Sequence, residues 1–145
     1  MDIDKILIVA DDSPSSIRAI EYGFNLAKGL RAKVMLLSVV EPALAIGDVD
    51  AGIFPDDALI TLKRNTEDFL HQMKNEYGKG VYTQLMVTEG DIQTAVIDAA
   101  KKWGASIIVA GTHGRTGLNK LFNGSVAESI IHNSPIPVCV VPMKN

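Results

Sequence analysis

Ile6-Leu7-Ile8-Val9-Ala10-Asp11-Asp12-Ser13-Pro14 joins an apolar run, an acidic pair and a helix start in one short stretch. The run from Ile6 to Ala10 is continuously apolar and rich in β-branched residues. That pattern suits a strand buried on both faces, as in a parallel sheet, since a half-exposed strand would alternate. Ser13 is a good N-cap and Pro14 suits the first helical position, where its missing N–H costs nothing. Beyond them Ile17, Ile20, Phe24 and Ala27 recur at three- and four-residue spacing, the stripe of an amphipathic helix.

The same grammar repeats downstream. Residues 34–40, 107–110 and 138–141 are further buried-strand runs, whereas residues 81–87 mix polar with apolar side chains and belong towards a sheet edge. Helical stripes intervene: Leu59, Leu62, Thr66, Phe69, Met73 and Tyr77; then Ile92, Ala95, Val96, Ala99 and Trp103; then Val126, Ala127, Ile130 and Ile131. Asp91 caps the third helix, with Lys101 and Lys102 near its end and Gly104 beyond. Strict β-α alternation with right-handed crossovers predicts an open, doubly wound, five-stranded parallel sheet, Rossmann-like, with helices on both faces, and the order expected for it is 3-2-1-4-5. No linker divides the chain, so residues 1–145 read as one domain. Residues 41–55 form an unusually long connection, a candidate lid or partner surface.

Composition narrows the function. Of 145 residues 47% are hydrophobic and 21% charged, and the net charge is −3. Without clustered Lys and Arg, nucleic acid is not the expected partner. No apolar run is long enough for membrane insertion. Met1-Asp2-Ile3-Asp4-Lys5 is acidic and unlike a secretion signal. Cys139 is the only cysteine, which fits a reducing, cytoplasmic setting. Inside an apolar strand its thiol is expected to be buried and inert. His71, His113 and His132 share no metal-ligand spacing; the first and last fall on helices, and His113 has no assigned carboxylate or nucleophile beside it.

In open α/β sheets ligands bind beyond the C-terminal strand ends, where strand order reverses. Here that means Ala10-Asp11-Asp12-Ser13 and residues 111–125, which read Gly-Thr-His-Gly-Arg-Thr-Gly-Leu-Asn-Lys-Leu-Phe-Asn-Gly-Ser. Glycines let backbone N–H groups converge on an anion. Gly124-Ser125 then opens a helix whose free N–H groups attract phosphate, with Arg115 and Lys120 as mobile positive charge. The plain alternative is that these glycines build turns and Ser125 caps a helix.

Gly111, Gly114, Gly124 and Ser125 match the signature of ATP-binding universal stress proteins: Gly, two residues, Gly, nine residues, Gly-Ser or Gly-Thr. The opening strand with Asp11 and Ser13-Pro14-Ser15-Ser16, the second strand ending near Val39, and Ser134-Pro135-Ile136-Pro137-Val138 extend the match, so the whole chain resembles that family. The resemblance implies a nucleotide-responsive module in stress response that binds ATP. Val9, Ala10 and Asp11 would face the nucleoside and backbone at Val39 would read adenine. Gly111 would lie beside the ribose, and Gly114, Gly124, Ser125 and Val126 would hold the phosphates. Thr112, His113, Gly114, Arg115 and Thr116 would wrap the triphosphate. Asp12 departs from the pattern, where small or uncharged residues are common. A second carboxylate there either weakens binding or recruits Mg²⁺; a solvated turn residue is the simpler role.

Three rivals remain. A phosphoacceptor receiver domain would use Asp11-Asp12, Thr112 and Lys144, yet lacks an acceptor aspartate at the expected strand end. A nucleotide-using enzyme lacks the phosphate-loop and dinucleotide motifs and a residue to position water, which leaves slow hydrolysis or self-phosphorylation at Ser125 or Thr116. A family member acting only through protein contacts would not need the intact glycine set. The last strand, residues 138–141, is apolar at a predicted sheet edge. Pairing with a second copy would cover it, so a homodimer is expected, with an unidentified protein partner reading the switch.

Overall fold

The computed structural model describes residues 2–42, 47, 49–52, 54–112 and 126–143. Strands β1 (Lys5–Val9), β2 (Lys33–Val40), β3 (Thr83–Glu89), β4 (Ile107–Gly111) and β5 (Val138–Val141) alternate with helices α1 (Pro14–Leu30), α2 (Pro55–Tyr77), α3 (Ile92–Trp103) and α4 (Val126–Asn133). The sheet order is β3-β2-β1-β4-β5, the expected 3-2-1-4-5, and every pairing is parallel, as the alternation predicts.

Side-chain alternation along β1 explains its continuous apolar run. Ile6 and Ile8 point into a core shared with Ile20, Phe24 and Ala27 of α1 and with Leu70 and Met73 of α2. Leu7 and Val9 point the other way, into a core with Val96, Ala99 and Ala100 of α3 and Ile130 of α4. Both faces of the central strand are therefore dry. Each such side chain contributes about 1.5–3 kcal/mol, well above the few tenths that separate helix propensities.

Helix α1 lies close enough to the sheet that a Cβ on Gly23 would come 2.5 Å from Ile8 Cδ1. The caps form as the residue types require. Ser13 Oγ accepts from Ser16 N–H, Asp91 accepts from Thr94 N–H, and Gly104 ends α3 in the left-handed region at φ 80°.

The strand read as an edge strand is one. On β3, Leu85 and Val87 pack against the α1/α2 core while Gln84 and Met86 are exposed, so its sequence alternates. Two details differ from the sequence pattern. Leu70, outside the predicted stripe, is the fully buried residue of α2, because the stripe winds slowly around a helix and broadens beside Phe69. Cys139 is half-buried, since β5 is an outer strand with neighbouring backbone on one side only.

Helices α1 and α2 cover one face and α3 and α4 the other because the chain reverses direction across the sheet between β3 and β4. A right-handed crossover in the opposite direction must use the opposite face. The reversal leaves a crevice where β1 and β4 end.

Candidate functional site at the end of β1

The chain leaves β1 at Val9 and enters α1 at Pro14, and the turn between them is tightly bonded. Ala10 N–H makes the last bond to β2, to Leu37 O at 2.7 Å. Ser38 Oγ then donates to Ala10 O at 2.7 Å in a buried contact. Asp11 N–H donates to Ser16 Oγ at 2.7 Å, and Asp11 Oδ1 accepts from Ser13 N–H at 2.8 Å. One carboxylate oxygen of Asp11 thus helps set the helix start. Among the described residues the buried polar side chains are Ser15, Ser16 and Ser38, and all three lie at this fork. Buried hydroxyls need partners, so their clustering marks backbone that the regular ladders do not satisfy.

Val39 occupies a special place. Lys33 N–H bonds Asp4 O and Ala10 N–H bonds Leu37 O, so odd-numbered residues of β2 turn their peptide groups towards β1. Val34 N–H bonds Tyr82 O and Gly90 N–H bonds Val40 O, so even-numbered residues face β3. In a parallel strand the two sets alternate. The N–H and C=O of Val39 therefore point to the β1 side, beyond the last β1–β2 pair, Val9 with Leu37. Among the described residues no backbone partner meets them. A donor and an acceptor stand side by side in the crevice.

At the end of β4, a Cβ on Gly111 would lie 2.6 Å from Ser15 Oγ and 2.8 Å from Ser15 O. Contact with the first turn of α1 alone requires glycine there. Thr112 N–H continues towards Val141 O at 3.3 Å, and Val126 opens α4. Val9, Ala10, Asp11, Val39, Gly111 and Thr112 thus sit at the C-terminal ends of β1, β2 and β4. His113, Gly114, Arg115, Thr116, Gly124 and Ser125 lie outside the described residues. Sequence reasoning missed Ser16 and Ser38. Ser38 did carry a signal: it is the polar residue inside an otherwise apolar strand.

Other features lie elsewhere. A hollow of about 220 Å³ between α2 and β3 is lined by Glu67, Leu70, His71, Leu85 and Val87, and is small for a nucleotide. Burial pushes the Cys139 thiol above its usual value. Among the described residues no group of three or more His, Cys, Asp or Glu could hold a metal, and no helix is long and apolar enough to cross a membrane.

The family model described as the universal stress protein family matches residues 2–142. The chain belongs to the universal stress protein family. Universal stress protein MJ0531 of Methanocaldococcus jannaschii is 34% identical to it over 142 residues, spanning 94% of this chain and 81% of that one. The solved structure of protein MJ0577 superposes with a TM-score of 0.85 at 25% identity, over 100% of this chain and 99% of the other. A universal stress protein of Archaeoglobus fulgidus, solved in complex with dAMP, shares the fold at a TM-score of 0.65 and 19% identity, over 97% and 99% of the two chains. In this universal stress protein the crevice at β1 and β4 is the family fold's switch point.

Proposed function

We propose that this chain is an ATP-binding, nucleotide-responsive homodimeric module of the cytoplasmic stress response. The observation that carries the reading is the open N–H and C=O of Val39 beside the β1 turn. Adenine offers a ring-nitrogen acceptor next to an amino donor, which complements that pair; guanine offers a carbonyl acceptor next to a ring N–H donor, the reverse order. The glycine signature supports the phosphate half: Gly114, Gly124, Ser125 and Val126 hold phosphate oxygens, the 112–116 segment wraps them, and Gly111 runs beside the ribose. Mg²⁺, where it binds, would be held by phosphate oxygens, with the Asp12 carboxylate as a candidate further ligand. The dAMP complex of the A. fulgidus relative shows that a protein of this fold accepts an adenine nucleotide.

At roughly −0.3 kcal/mol per non-hydrogen atom, ATP reaches about −9 kcal/mol, a near-micromolar Kd or somewhat tighter. Bound ATP, held by residues 111–125, changes what the dimer presents to a protein partner. The dimer forms through β5. Ile108 N–H bonds Pro137 O and Thr112 N–H bonds Val141 O, so Val138 and Val140 turn their peptide groups outward at the sheet edge.

Calorimetric titration of nucleotide-stripped protein with Mg²⁺-ATP tests the reading. Saturable micromolar binding is expected, weaker by tenfold or more for GTP and lost in Gly114→Ala/Gly124→Val. No binding by folded protein removes ATP from the account, and turnover of many ATP molecules per minute overturns the binding-module reading.

A further inference from the structure

We propose that Ser38 is a positioning residue that holds the β1–β2 fork open, so that the Val39 peptide edge is free to pair with a purine. The inference rests on the nucleotide reading above and adds to it the device that keeps the base-reading edge unpaired. Its starting point is a missing ladder bond. Continuing the β1–β2 ladder one step past the Ala10 N–H bond to Leu37 O would bring Val39 N–H onto Ala10 O. That bond is not made, and the β1–β2 register stops at Val9 and Leu37.

Ala10 is 3% exposed, so its carbonyl needs a partner within the protein. The Ser38 hydroxyl supplies it at 2.7 Å. From the other side of the same peptide, Asp11 N–H is taken by Ser16 Oγ at 2.7 Å. Both polar groups of the Ala10–Asp11 peptide are thereby satisfied by side chains, and the backbone can leave the sheet for α1 with no need of Val39. Without the Ser38 hydroxyl, the buried carbonyl is orphaned, and the donor that the ladder geometry sets opposite it is the Val39 N–H. The fork closes by one hydrogen bond, and the edge that would read the base is consumed.

The test reads the Val39 amide directly. In nucleotide-free wild-type protein, hydrogen exchange followed by NMR should find Val39 N–H fast while Val34 and Leu36 are protected. In Ser38→Ala, Val39 should become protected and ATP affinity should fall about tenfold, the factor expected for one net hydrogen bond. Ser38→Thr keeps a hydroxyl and should restore both readouts. If Ser38→Ala does not fold, Ser38→Cys, with a weak donor of similar size, takes its place in the same measurements. A protected Val39 amide in the wild type overturns the inference, as does wild-type ATP affinity in the folded variant lacking the hydroxyl. If the wild type does not bind ATP, the nucleotide reading fails, while the exchange comparison still decides whether Ser38 holds the fork open.

Discussion

Gly111 is required by packing alone, whatever part it plays in the proposed nucleotide site. A side chain there meets Ser15 in the first turn of α1 whether or not a nucleotide is bound. Gly111→Ala should therefore destabilise the nucleotide-free protein by about 1–3 kcal/mol, read as a lower urea midpoint. Unchanged stability with weakened ATP binding would mean that the glycine serves the ligand alone. At the opposite end of the sheet, Ser106 Oγ donates to Asp4 Oδ1 at 2.7 Å and holds that carboxyl below its ordinary value of 3.8. The folded state prefers the carboxylate, so this contribution is complete above pH 4 or so and is lost as pH falls through the lower folded value. The stability gap between wild type and Ser106→Ala should narrow on acidification in denaturant titrations. It should not vanish, because Ser106 Oγ also accepts from the Asp4 and Lys5 N–H groups. A gap that widens towards low pH would contradict the assignment.

Among the elements, β5 is the edge strand that the proposed dimer would cover. Its even-numbered residues turn outward and its side chains are only half covered until Val141. Proline at position 140 removes an outward donor and no β4 ladder bond, the placement that edge strands tolerate. Val140→Pro should thus remain folded by circular dichroism yet sediment as a monomer where the wild type sediments as a dimer. A wild-type monomer at micromolar concentration would remove the dimer from the account, and a dimer that survives the substitution would place its interface elsewhere. Most elements could be read from sequence because their signals are local. Ser13-Pro14 and Asp91 act within one turn, and the apolar period follows from burial of one helical face. Helix α2 is less legible: Leu70 is fully buried and Thr66 only partly, because the buried stripe winds slowly around a long helix and its breadth is set by what the helix packs against.

At the scale of the whole chain, two cores share β1 between them, Ile6 and Ile8 on one side and Leu7 and Val9 on the other. Loss of either core exposes the strand on which the other is built. Urea unfolding should accordingly be a single transition, with fluorescence of Trp103 and far-ultraviolet circular dichroism coincident, as one domain requires. ATP at a hundredfold excess over its Kd should raise the unfolding free energy by about 2.7 kcal/mol. Two separated transitions would argue against one domain. The order of strands and the helix-covered faces were legible in the sequence, because buried runs, helical stripes and caps are written in neighbouring residues and crossover handedness leaves few ways to connect them. The location of the crevice followed from that order. The contacts that make it a site did not. Ser38 reaches Ala10, Gly111 fits against Ser15, and Val39 is left unpaired only because β1 and β2 stand in one particular register and α1 lies close to the sheet. Such contacts join residues far apart in the chain, and a shift of one residue in the β1–β2 register would undo the Ser38–Ala10 bond and re-pair the Val39 edge.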